Sequence, residues 1–293
     1  MTTNFLTMAD SKYFETVILS AKQISKLHPE SQFFIYDWGF NPEQRAELND
    51  ILNVQILEWQ LRFIPIKISL GKILTIKKLL GISRWVDIVH NIFFNREKLV
   101  DSKNFLQIPI SEMRYFNKFL CIEDFINNHS DKFIFIDADA FLINPLDEVC
   151  QADFDIGLTL RRKNEITYET NKCRVLNVGV MMFLGNKHKH KSFVKEWKNE
   201  LLNTQELYCE QTSLTRMLYK KEKSVYENVN ITHDIIFENN KMKIKILPCE
   251  IYNYNWIEEF DTKKDRDRVK ILHFKSGRFN TPIFKKIAKE LNL

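Results

Sequence analysis

Two carboxylates, Asp137 and Asp139, follow closely on the apolar run 133–136, whose sequence is F-I-F-I. A short, continuous run of aromatic and β-branched residues is typical of a strand buried on both faces of a mainly parallel sheet. Ligands of open α/β sheets bind beyond the carboxyl ends of the strands. Because residues i and i+2 of an extended chain point to the same side, both carboxylates can face one hard cation, Mg²⁺ or Mn²⁺.

The D-x-D spacing is not distinctive by itself, because two other such triplets occur in the chain. Asp265 and Asp267 lie in a run of charged residues that is typical of a solvated loop. Asp153 and Asp155 come before a predicted strand and not at the end of one. Only the first pair therefore has the position expected of a ligand site.

The composition is that of an ordinary globular protein, with 293 residues of which 44% are hydrophobic and 28% charged. No Gly/Ser-rich or Pro-rich linker divides the chain, so we predict one domain over residues 1–293. The longest apolar runs are far shorter than the roughly eighteen residues that span a bilayer, and no secretion signal is evident. We therefore expect a cytoplasmic protein. The five cysteines include no C-x-x-C pair, and we expect them to be reduced core residues.

The net charge of +5 comes from one stretch of the chain. Residues 62–100 contain eight Lys or Arg against Asp87 and Glu97, a local charge of +6. Within this stretch, residues 71–94 carry apolar side chains at three- and four-residue steps, which predicts a helix. Two interpretations stay open: a basic helical insertion at about 62–106 that packs on the domain, or peripheral contact with the inner face of a membrane. The stretch lacks an exposed aromatic pattern, so we expect no nucleic acid binding.

The order of the predicted elements indicates the fold class. Near the N-terminus, strands and helices alternate as β-α-β-α-β, which predicts an α/β sheet flanked by helices. The chain has seven glycines and no G-x-G triplet, so a dinucleotide-binding Rossmann unit is not expected. The predicted strands are 4–9, 32–36, 54–57, 133–136, 156–160, 175–183, 244–247 and 269–274. The predicted helices are 12–27, 42–52, 111–127, 191–203, 206–219 and, at the C-terminus, 281–293.

Further polar residues stand where they could join a site. Asn177 and Gly179 lie in a predicted strand, and glycine within a strand often allows a ligand or another backbone to come close. Glu210 and Gln211 lie on a predicted helix, where such a pair would ordinarily face solvent. His273 stands near the end of the last strand, a position that by itself is typical of a buried histidine.

Taken in order, these segments resemble the GT-A nucleotide-sugar glycosyltransferases, most closely the retaining family 8 enzymes and related nucleotide-diphospho-sugar transferases. The resemblance spans positions 4 to 282, with weak matching at 62–106. It implies a GT-A, Rossmann-like α/β fold with a mainly parallel central sheet. The segments that carry it are Asp137-Ala138-Asp139, Asn177-Val178-Gly179-Val180, Glu210-Gln211, the Y-N-Y-N-W segment at 252–256 and the segment 273–277.

The resemblance also implies a chemistry. Family members move a sugar from a nucleotide-diphosphate donor to an acceptor. For this chain, we expect the donor to be a UDP-sugar and the acceptor to be a glycan such as lipopolysaccharide, capsule or glycoprotein. The D-x-D aspartates and a histidine near the C-terminus hold a divalent metal on the donor diphosphate. This implies Asp137, Asp139 and His273 as ligands of Mn²⁺ or Mg²⁺, and transfer with retention of the anomeric configuration.

The resemblance extends to the expected nucleotide contacts. Tyr115 and Lys118 look like the family's Tyr and Arg before the central strand. The Lys is a departure, because it cannot make the bidentate contact of an Arg. The first-strand segment that meets the nucleobase and ribose is matched by Met8, Ala9, Asp10 and Tyr13.

The C-terminal motif departs more from the family pattern. The family's H-x-x-G-x-x-K-P-W appears here as H-F-K-S-G-R-F-N-T-P-I-F, with one extra residue after the histidine and no Lys before the proline. Gly277 matches the motif's glycine. The phosphate-binding lysine is replaced in this interpretation by Lys275 or Arg278.

The acidic-Gln pair of the family faces the sugar, which implies positional roles for Glu210 and Gln211, with Asn177 nearby. Breaking the bond between a sugar and a diphosphate builds negative charge on the leaving oxygen and positive charge on the anomeric carbon. A metal and nearby cations suit the first charge, and a carboxylate or amide facing the sugar suits the second.

Two other functions stay open. A haloacid-dehalogenase-type phosphatase would use Asp137 as nucleophile and Asp139 as acid, but it expects Thr or Val where this chain has Phe141. It also expects a later acidic pair, and the chain has neither D-D nor G-D. A non-catalytic nucleotide-sugar-binding scaffold is the second alternative. Arg161 and Arg162 are expected to end a strand and not to bind phosphate.

Overall fold

The computed structural model describes residues 2–62, 107–162, 175–203, 208–275 and 281–291. The predicted helical insertion at 62–106 and the segment 71–94 lie outside the described residues, apart from Arg62. The single domain over 1–293 stays a prediction.

The described residues form strands and helices in largely the predicted places. The strands are β1 (Asn4–Ala9), β2 (Phe33–Asp37), β3 (Val54–Glu58), β4 (Phe133–Ile136), β5 (Ala140–Leu142), β6 (Ile156–Leu160), β7 (Leu176–Phe183), β8 (Thr232–Phe237), β9 (Asn240–Pro248) and β10 (Ile271–His273). The helices are α1 (Phe14–Leu27), α2 (Pro42–Asn49), α3 (Gln107–Asn128), α4 (Asp147–Cys150), α5 (Lys187–Leu202), α6 (Cys209–Lys221), α7 (Cys249–Tyr252), α8 (Thr262–Asp265) and α9 (Pro282–Leu291). Short 3₁₀ turns occupy Ser11–Tyr13 and Lys223–Tyr226.

An eight-stranded sheet forms the centre, in the order β3-β2-β1-β4-β7-β6-β9-β8. Strands β3, β2, β1 and β4 are parallel neighbours, and β6 is parallel to β9. Strand β7 runs antiparallel between β4 and β6, and β8 is an antiparallel edge strand. The sheet is therefore mostly parallel, which confirms the predicted fold class. Because β7 runs in reverse, its first residues lie at the same edge as the carboxyl ends of β1 and β4.

Strand β4 is buried on both faces, as its apolar sequence predicted. Phe133 and Phe135 pack in a cluster with α3, α5 and α6, whereas Ile134 and Ile136 pack on the opposite face with α1. All four side chains are fully buried. Truncation of a core Phe to Ala typically costs about 3–5 kcal/mol. The strand therefore anchors the edge of the sheet at which the two carboxylates follow.

The start of α2 shows how local sequence signals become structure. The Asn41 side chain accepts a hydrogen bond from Gln44 N at 2.8 Å, and the Gln44 side chain accepts one from Asn41 N at 3.2 Å. Pro42 occupies the first turn, where no N–H is needed. The helix ends at Asn49, earlier than predicted, and a turn with a left-handed φ of 67° at Asn53 follows before β3.

Two strands, β5 and β8, were not predicted. Strand β5 has only three residues, too few to show any periodicity. Strand β8 pairs antiparallel with β9 across a tight turn at Glu238 and Asn239, both of which have positive φ. Such a turn is typical of a two-residue β-hairpin, so the E-N-N sequence was the signal for a longer β9 and a partner strand before it.

The four cysteines of the described residues form no disulfide with one another. Cys121, Cys209 and Cys249 are buried and Cys150 is half-buried. Burial raises the pKa of the Cys121 thiol well above its ordinary value, so this thiol stays protonated. Cys173 lies outside the described residues.

His28 is a buried histidine that acts as a hydrogen-bond acceptor. Its Nε2 accepts the backbone N–H of Leu146 at 3.1 Å, just before α4, and its Nδ1 lies 3.8 Å from Asp147. Because Nε2 accepts, the proton of the neutral ring is on Nδ1. Burial lowers the pKa of His28 below its ordinary value of 6.5. Protonation of Nε2 would break the hydrogen bond to Leu146.

We expect His28 to make folding stability depend on pH. A histidine whose pKa is lowered on folding contributes stability that is present above its unfolded pKa of about 6.5 and is lost as the pH falls below it. In His28→Gln, an acceptor remains but the titration is gone. The free energy of unfolding from urea titrations should therefore fall less between about pH 7 and pH 5 than in the wild type.

The comparison isolates His28 because the other buried histidines, His190 and His273, are common to both proteins. Burial lowers the pKa of His190 to about 4, and this residue adds the same pH dependence to each. Equal loss of stability in wild type and His28→Gln would contradict the prediction.

Candidate active site

A cleft of about 440 Å³ opens at the edge of the sheet where β1 and β4 end and β7 begins. Fifteen of the seventeen residues predicted for the site line it: Met8, Ala9, Asp10, Tyr13, Tyr115, Lys118, Asp137, Ala138, Asp139, Asn177, Gly179, Glu210, Gln211, His273 and Lys275. The other two predicted residues, Gly277 and Arg278, lie outside the described residues. Residues from distant parts of the sequence thus come together in one cavity.

The two aspartates lie in a tight turn between β4 and β5. Asp137 N donates to Gly179 O at 2.8 Å, and Ala140 N donates to Asp137 O at 3.0 Å. Lys118 Nζ donates to Asp137 Oδ1 at 2.6 Å and lies 4.8 Å from the centroid of the Phe135 ring. The Lys118 side chain is only 7% exposed. It therefore holds one carboxylate oxygen of Asp137 and leaves Oδ2 for another partner.

Strand pairing brings His273 to the aspartates from the far end of the chain. Strands β10 and β5 form a two-stranded antiparallel sheet in which His273 lies opposite Ala140. Phe274 N donates to Asp139 O at 2.7 Å and extends this pairing. His273 Nε2 lies 3.0 Å from Asp139 Oδ1 and 3.8 Å from Asp137 Oδ2.

Asp137, Asp139 and His273 form a cluster that fits a divalent cation. Each offers one ligand atom, and these atoms lie within 4.8 Å of one another. Two carboxylate oxygens and one imidazole nitrogen suit Mn²⁺ or Mg²⁺ and leave positions open for other oxygen ligands. The Nε2 atom of His273 faces carboxylate oxygens, an arrangement in which a cation between them would balance the charge.

Gly179 gives the histidine its space. The pairing of β6 with β7 shifts register between Leu158 and Thr159, opposite the part of β7 that contains Gly179. A Cβ atom at position 179 would lie 2.7 Å from His273 Nδ1 and 2.9 Å from Asp137 Oδ2, and closer still to the ring's Cε1. No side chain fits there without displacing the ring or the carboxylate.

The end of β1 supplies a second polar group to the cleft. Both carboxylate oxygens of Asp10 are engaged, Oδ1 by Lys12 N at 3.1 Å and Oδ2 by Arg114 Nη2 at 2.6 Å. Tyr13 lies near these charges. Burial, followed by the negative charge of Asp139, raises the pKa of Tyr13 to about 12. The Tyr13 hydroxyl therefore keeps its proton and is a hydrogen-bond donor.

Glu210 and Gln211 lie in the first turn of α6, and both side chains are buried. Trp197 Nε1 anchors this turn by donating to Glu210 O at 3.0 Å and to Ser213 Oγ at 2.9 Å. The side-chain amide nitrogens of Gln211 and Asn177 have no hydrogen-bond partner among the described residues. An unpaired buried polar group costs about 1–3 kcal/mol. Both amide nitrogens are therefore available to donate a hydrogen bond to a bound ligand or water.

Five cleft residues were not predicted: Trp38, Arg114, Arg161, Val178 and Tyr208. Trp38 and Arg161 follow the carboxyl ends of β2 and β6, so the rule that singled out the aspartates would have found them too. Arg161 thus lies in the cleft besides ending a strand. Tyr208 packs against Tyr115 at 5.3 Å between ring centroids, with the rings tilted by 31°, and has a left-handed φ of 57°, which no sequence pattern indicated.

The fold and the family match together define the class of protein. A family model described as nucleotide-diphospho-sugar transferase matches residues 112–281, more than half of the chain. The protein is a glycosyltransferase of the GT-A type that uses a nucleotide sugar. The chain belongs to the nucleotide-diphospho-sugar transferase family.

Solved structures share the fold at low sequence identity. The galactosyltransferase LgtC, crystallised with donor and acceptor sugar analogues, is 11% identical with a TM-score of 0.53, over 99% of this chain and 95% of LgtC. An active-site mutant of LgtC is 12% identical with the same TM-score, over 99% and 94% of the two chains. The bifunctional glycosyltransferase WbbM is 9% identical with a TM-score of 0.51, over 99% of this chain and 51% of WbbM. No curated protein matches this chain in sequence.

We expect Gly179→Ala to weaken divalent metal binding at least about tenfold, by analogy with changes that disturb ligand orientation. The added Cβ would displace the His273 ring or the Asp137 carboxylate. Calorimetric titration of the purified protein with Mn²⁺ measures the effect.

Gly157→Ala is the matched control. Its Cβ would also meet close neighbours, at 2.9 Å from Phe154 and 3.1 Å from Met182, but in the apolar core. This variant should lose stability and keep the Mn²⁺ affinity of the wild type. If Gly179→Ala also kept that affinity, the role assigned to Gly179 would be wrong.

Proposed function

We propose that the protein is a metal-dependent glycosyltransferase in which Asp137, Asp139 and His273 hold Mn²⁺ or Mg²⁺ on the donor diphosphate. The observation that carries the proposal is the convergence of these three ligand atoms within 4.8 Å, beside a cleft. Divalent ions of this kind usually bind through one or two carboxylates together with substrate phosphates. When bound, the metal stabilises negative charge on the departing diphosphate.

The charges around the ligands support a polyanionic substrate. Lys118 pairs with Asp137, and Lys275 lies in the cleft close to His273 in sequence. Two carboxylates against a divalent ion and two lysines leave a net positive charge for the diphosphate. We assign Lys118 and Lys275 to the phosphates, and Gly277 and Arg278 keep the same assignment from the sequence.

A UDP-sugar is the donor that we propose. The residues matched to the family's nucleobase and ribose segment, Met8, Ala9, Asp10 and Tyr13, all lie in the cleft. The proton-bearing hydroxyl of Tyr13 supports this assignment, since ribose and base offer acceptor atoms. Tyr115, which packs against Tyr208, extends the aromatic part of the same wall.

Glu210, Gln211 and Asn177 are proposed to position the donor sugar. The unpaired amide nitrogens of Gln211 and Asn177 support this role, because sugar hydroxyls accept hydrogen bonds. Transfer with retention of configuration belongs to the same proposal and rests on the resemblance to family 8.

The acceptor is proposed to be a glycan, such as a growing lipopolysaccharide, capsule or glycoprotein chain. No helix of the described residues is long and apolar enough to cross a membrane. A cytoplasmic location with peripheral contact through 71–94 stays a prediction from the sequence.

The phosphatase alternative and the scaffold alternative have less support. The family match is to transferases, and the imidazole beside the aspartates adds a metal ligand that the phosphatase interpretation does not use. If the protein were a non-catalytic scaffold, no reaction would depend on Asp137, Asp139 and His273.

We expect one nucleotide sugar of a panel to release its nucleoside diphosphate with Mn²⁺ and not with EDTA. Asp139→Ala should lower this rate by more than about a hundredfold, since it removes a metal ligand. A coupled assay for free nucleoside diphosphate makes the measurement.

Asp153→Ala is the matched control, because Asp153 belongs to another D-x-D triplet but is exposed and pairs with Lys243. This variant should keep the rate of the wild type. Release from no donor, together with no donor binding by calorimetry, would reject the transferase proposal and favour the alternatives.

We expect the product to keep the anomeric configuration of the donor. Proton NMR of the anomeric region during the first turnovers distinguishes the two outcomes through the coupling constant of the new glycoside. A product with inverted anomeric configuration would reject retention and the roles given to Gln211 and Glu210. It would not bear on the proposed metal site.

A further inference from the structure

The side chain of Asn253 contacts the Nδ1 side of the imidazole ring of His273, the histidine of the proposed metal site. It follows α7, is fully buried, and its Oδ1 lies 2.7 Å from His273 Nδ1. Its amide nitrogen donates to Thr159 Oγ1 at 2.9 Å and to Asn177 O at 3.1 Å. All three polar contacts of the side chain are therefore within the protein.

The amide of Asn253 can point in only one direction. The carbonyl of Asn177 is an acceptor, so it needs the NH₂ group. Thr159 Oγ1 donates its own proton to the same carbonyl at 2.6 Å, and toward Asn253 it can only accept. A flipped amide would place its oxygen 3.1 Å from the carbonyl oxygen of Asn177, with no proton between the two acceptors. The Oδ1 atom of Asn253 must consequently face His273.

This direction determines the state of the imidazole. An acceptor oxygen at 2.7 Å from Nδ1 requires a proton on Nδ1. The lone pair that binds a metal is then on Nε2, which faces Asp139 Oδ1 at 3.0 Å and Asp137 Oδ2 at 3.8 Å. The backbone of His273 is held in place separately, since its N–H donates to Tyr254 O at 2.8 Å.

We propose that Asn253 is a positioning residue of the metal site. It keeps the proton of His273 on Nδ1 and directs Nε2 to the divalent cation, and Thr159 and the Asn177 carbonyl fix its orientation. This inference rests on the proposed function, because it requires that His273 binds the metal. Partners of this kind typically contribute 10–100-fold to metal affinity.

Mn²⁺ affinity measured by calorimetry tests the inference on four proteins: wild type, Asn253→Ala, Asn253→Asp and Asn117→Ala. Asn253→Ala should bind Mn²⁺ about 10–100-fold more weakly than the wild type. Asn253→Asp keeps an acceptor for Nδ1–H but cannot donate to the Asn177 carbonyl. It should be less stable than the wild type yet bind Mn²⁺ more tightly than Asn253→Ala.

Asn117→Ala controls for the loss of a buried amide. Asn117 is fully buried and bonds Trp59, Arg62 and Met113, and none of these is a proposed ligand. It should lose stability and keep the wild-type Mn²⁺ affinity. A purely structural role for Asn253 would instead make Asn253→Asp, with its buried carboxylate, as poor a metal binder as Asn253→Ala.

Histidine ¹⁵N NMR of the wild type reads the ring directly and does not depend on any variant of Asn253. With Mg²⁺ bound at mildly alkaline pH, His273 should carry its proton on Nδ1 only, and His273→Gln assigns the signal. A proton on Nε2 in this state would overturn the inference, as would a folded Asn253→Ala with Mn²⁺ affinity within twofold of the wild type.

The controls separate failure of this inference from failure of the proposed function. If Mn²⁺ binds the wild type and is lost in His273→Gln but not in Asn253→Ala, only the role of Asn253 fails. If Mn²⁺ binding is absent from the wild type or unchanged in His273→Gln, the metal site fails and this inference fails with it.

Discussion

The candidate site depends on the pairing of two very short strands, β5 and β10. Each has three residues, and their register places His273 opposite Ala140 and therefore beside Asp139. Without this pairing, the aspartates at the end of β4 would lie beside Lys118 with no histidine next to them. The pairing is short, but it is supported by an apolar cluster in which Phe141 stacks on Phe274 at 5.6 Å between ring centroids.

The electrostatics of the site follow from the same arrangement. The buried ammonium of Lys118 takes one oxygen of Asp137, so the two aspartates do not present their full charge to the cleft. An Arg at this position could engage both oxygens of a carboxylate, whereas Lys contacts a single one. The departure from the family pattern thus leaves Asp137 Oδ2 available beside His273.

Much of the fold could be predicted from local patterns. Strand β4 was predicted with its observed bounds because four consecutive apolar residues between polar ones leave little choice. The same holds for β1 and β6. Helix ends differed by a few residues, as at α2, which ends at Asn49 and not at Leu52. Strand β5 escaped prediction because three residues carry no period.

The site was predicted in part, for a physical reason. Strand ends and the resemblance indicated Asp137, Asp139 and His273, since these residues stand in recognisable motifs. Arg114 forms a hydrogen bond to a partner far away in the sequence, and no local pattern records such a contact. Asn253 lies in the Y-N-Y-N-W segment that carries the resemblance, but its hydrogen bond to His273 was not predicted. The burial of Glu210 and Gln211 was likewise unexpected, because it depends on how α6 packs against Trp197.

The pairing of His273 with Ala140 also has a consequence for the order of folding. Contacts between residues far apart in sequence carry a high entropic cost of loop closure and tend to form late. During synthesis, the N-terminal strands and β4 can assemble before the C-terminal segment leaves the ribosome. A nascent chain therefore carries the two aspartates well before it carries the histidine, and the proposed three-residue site forms only after His273 has been made.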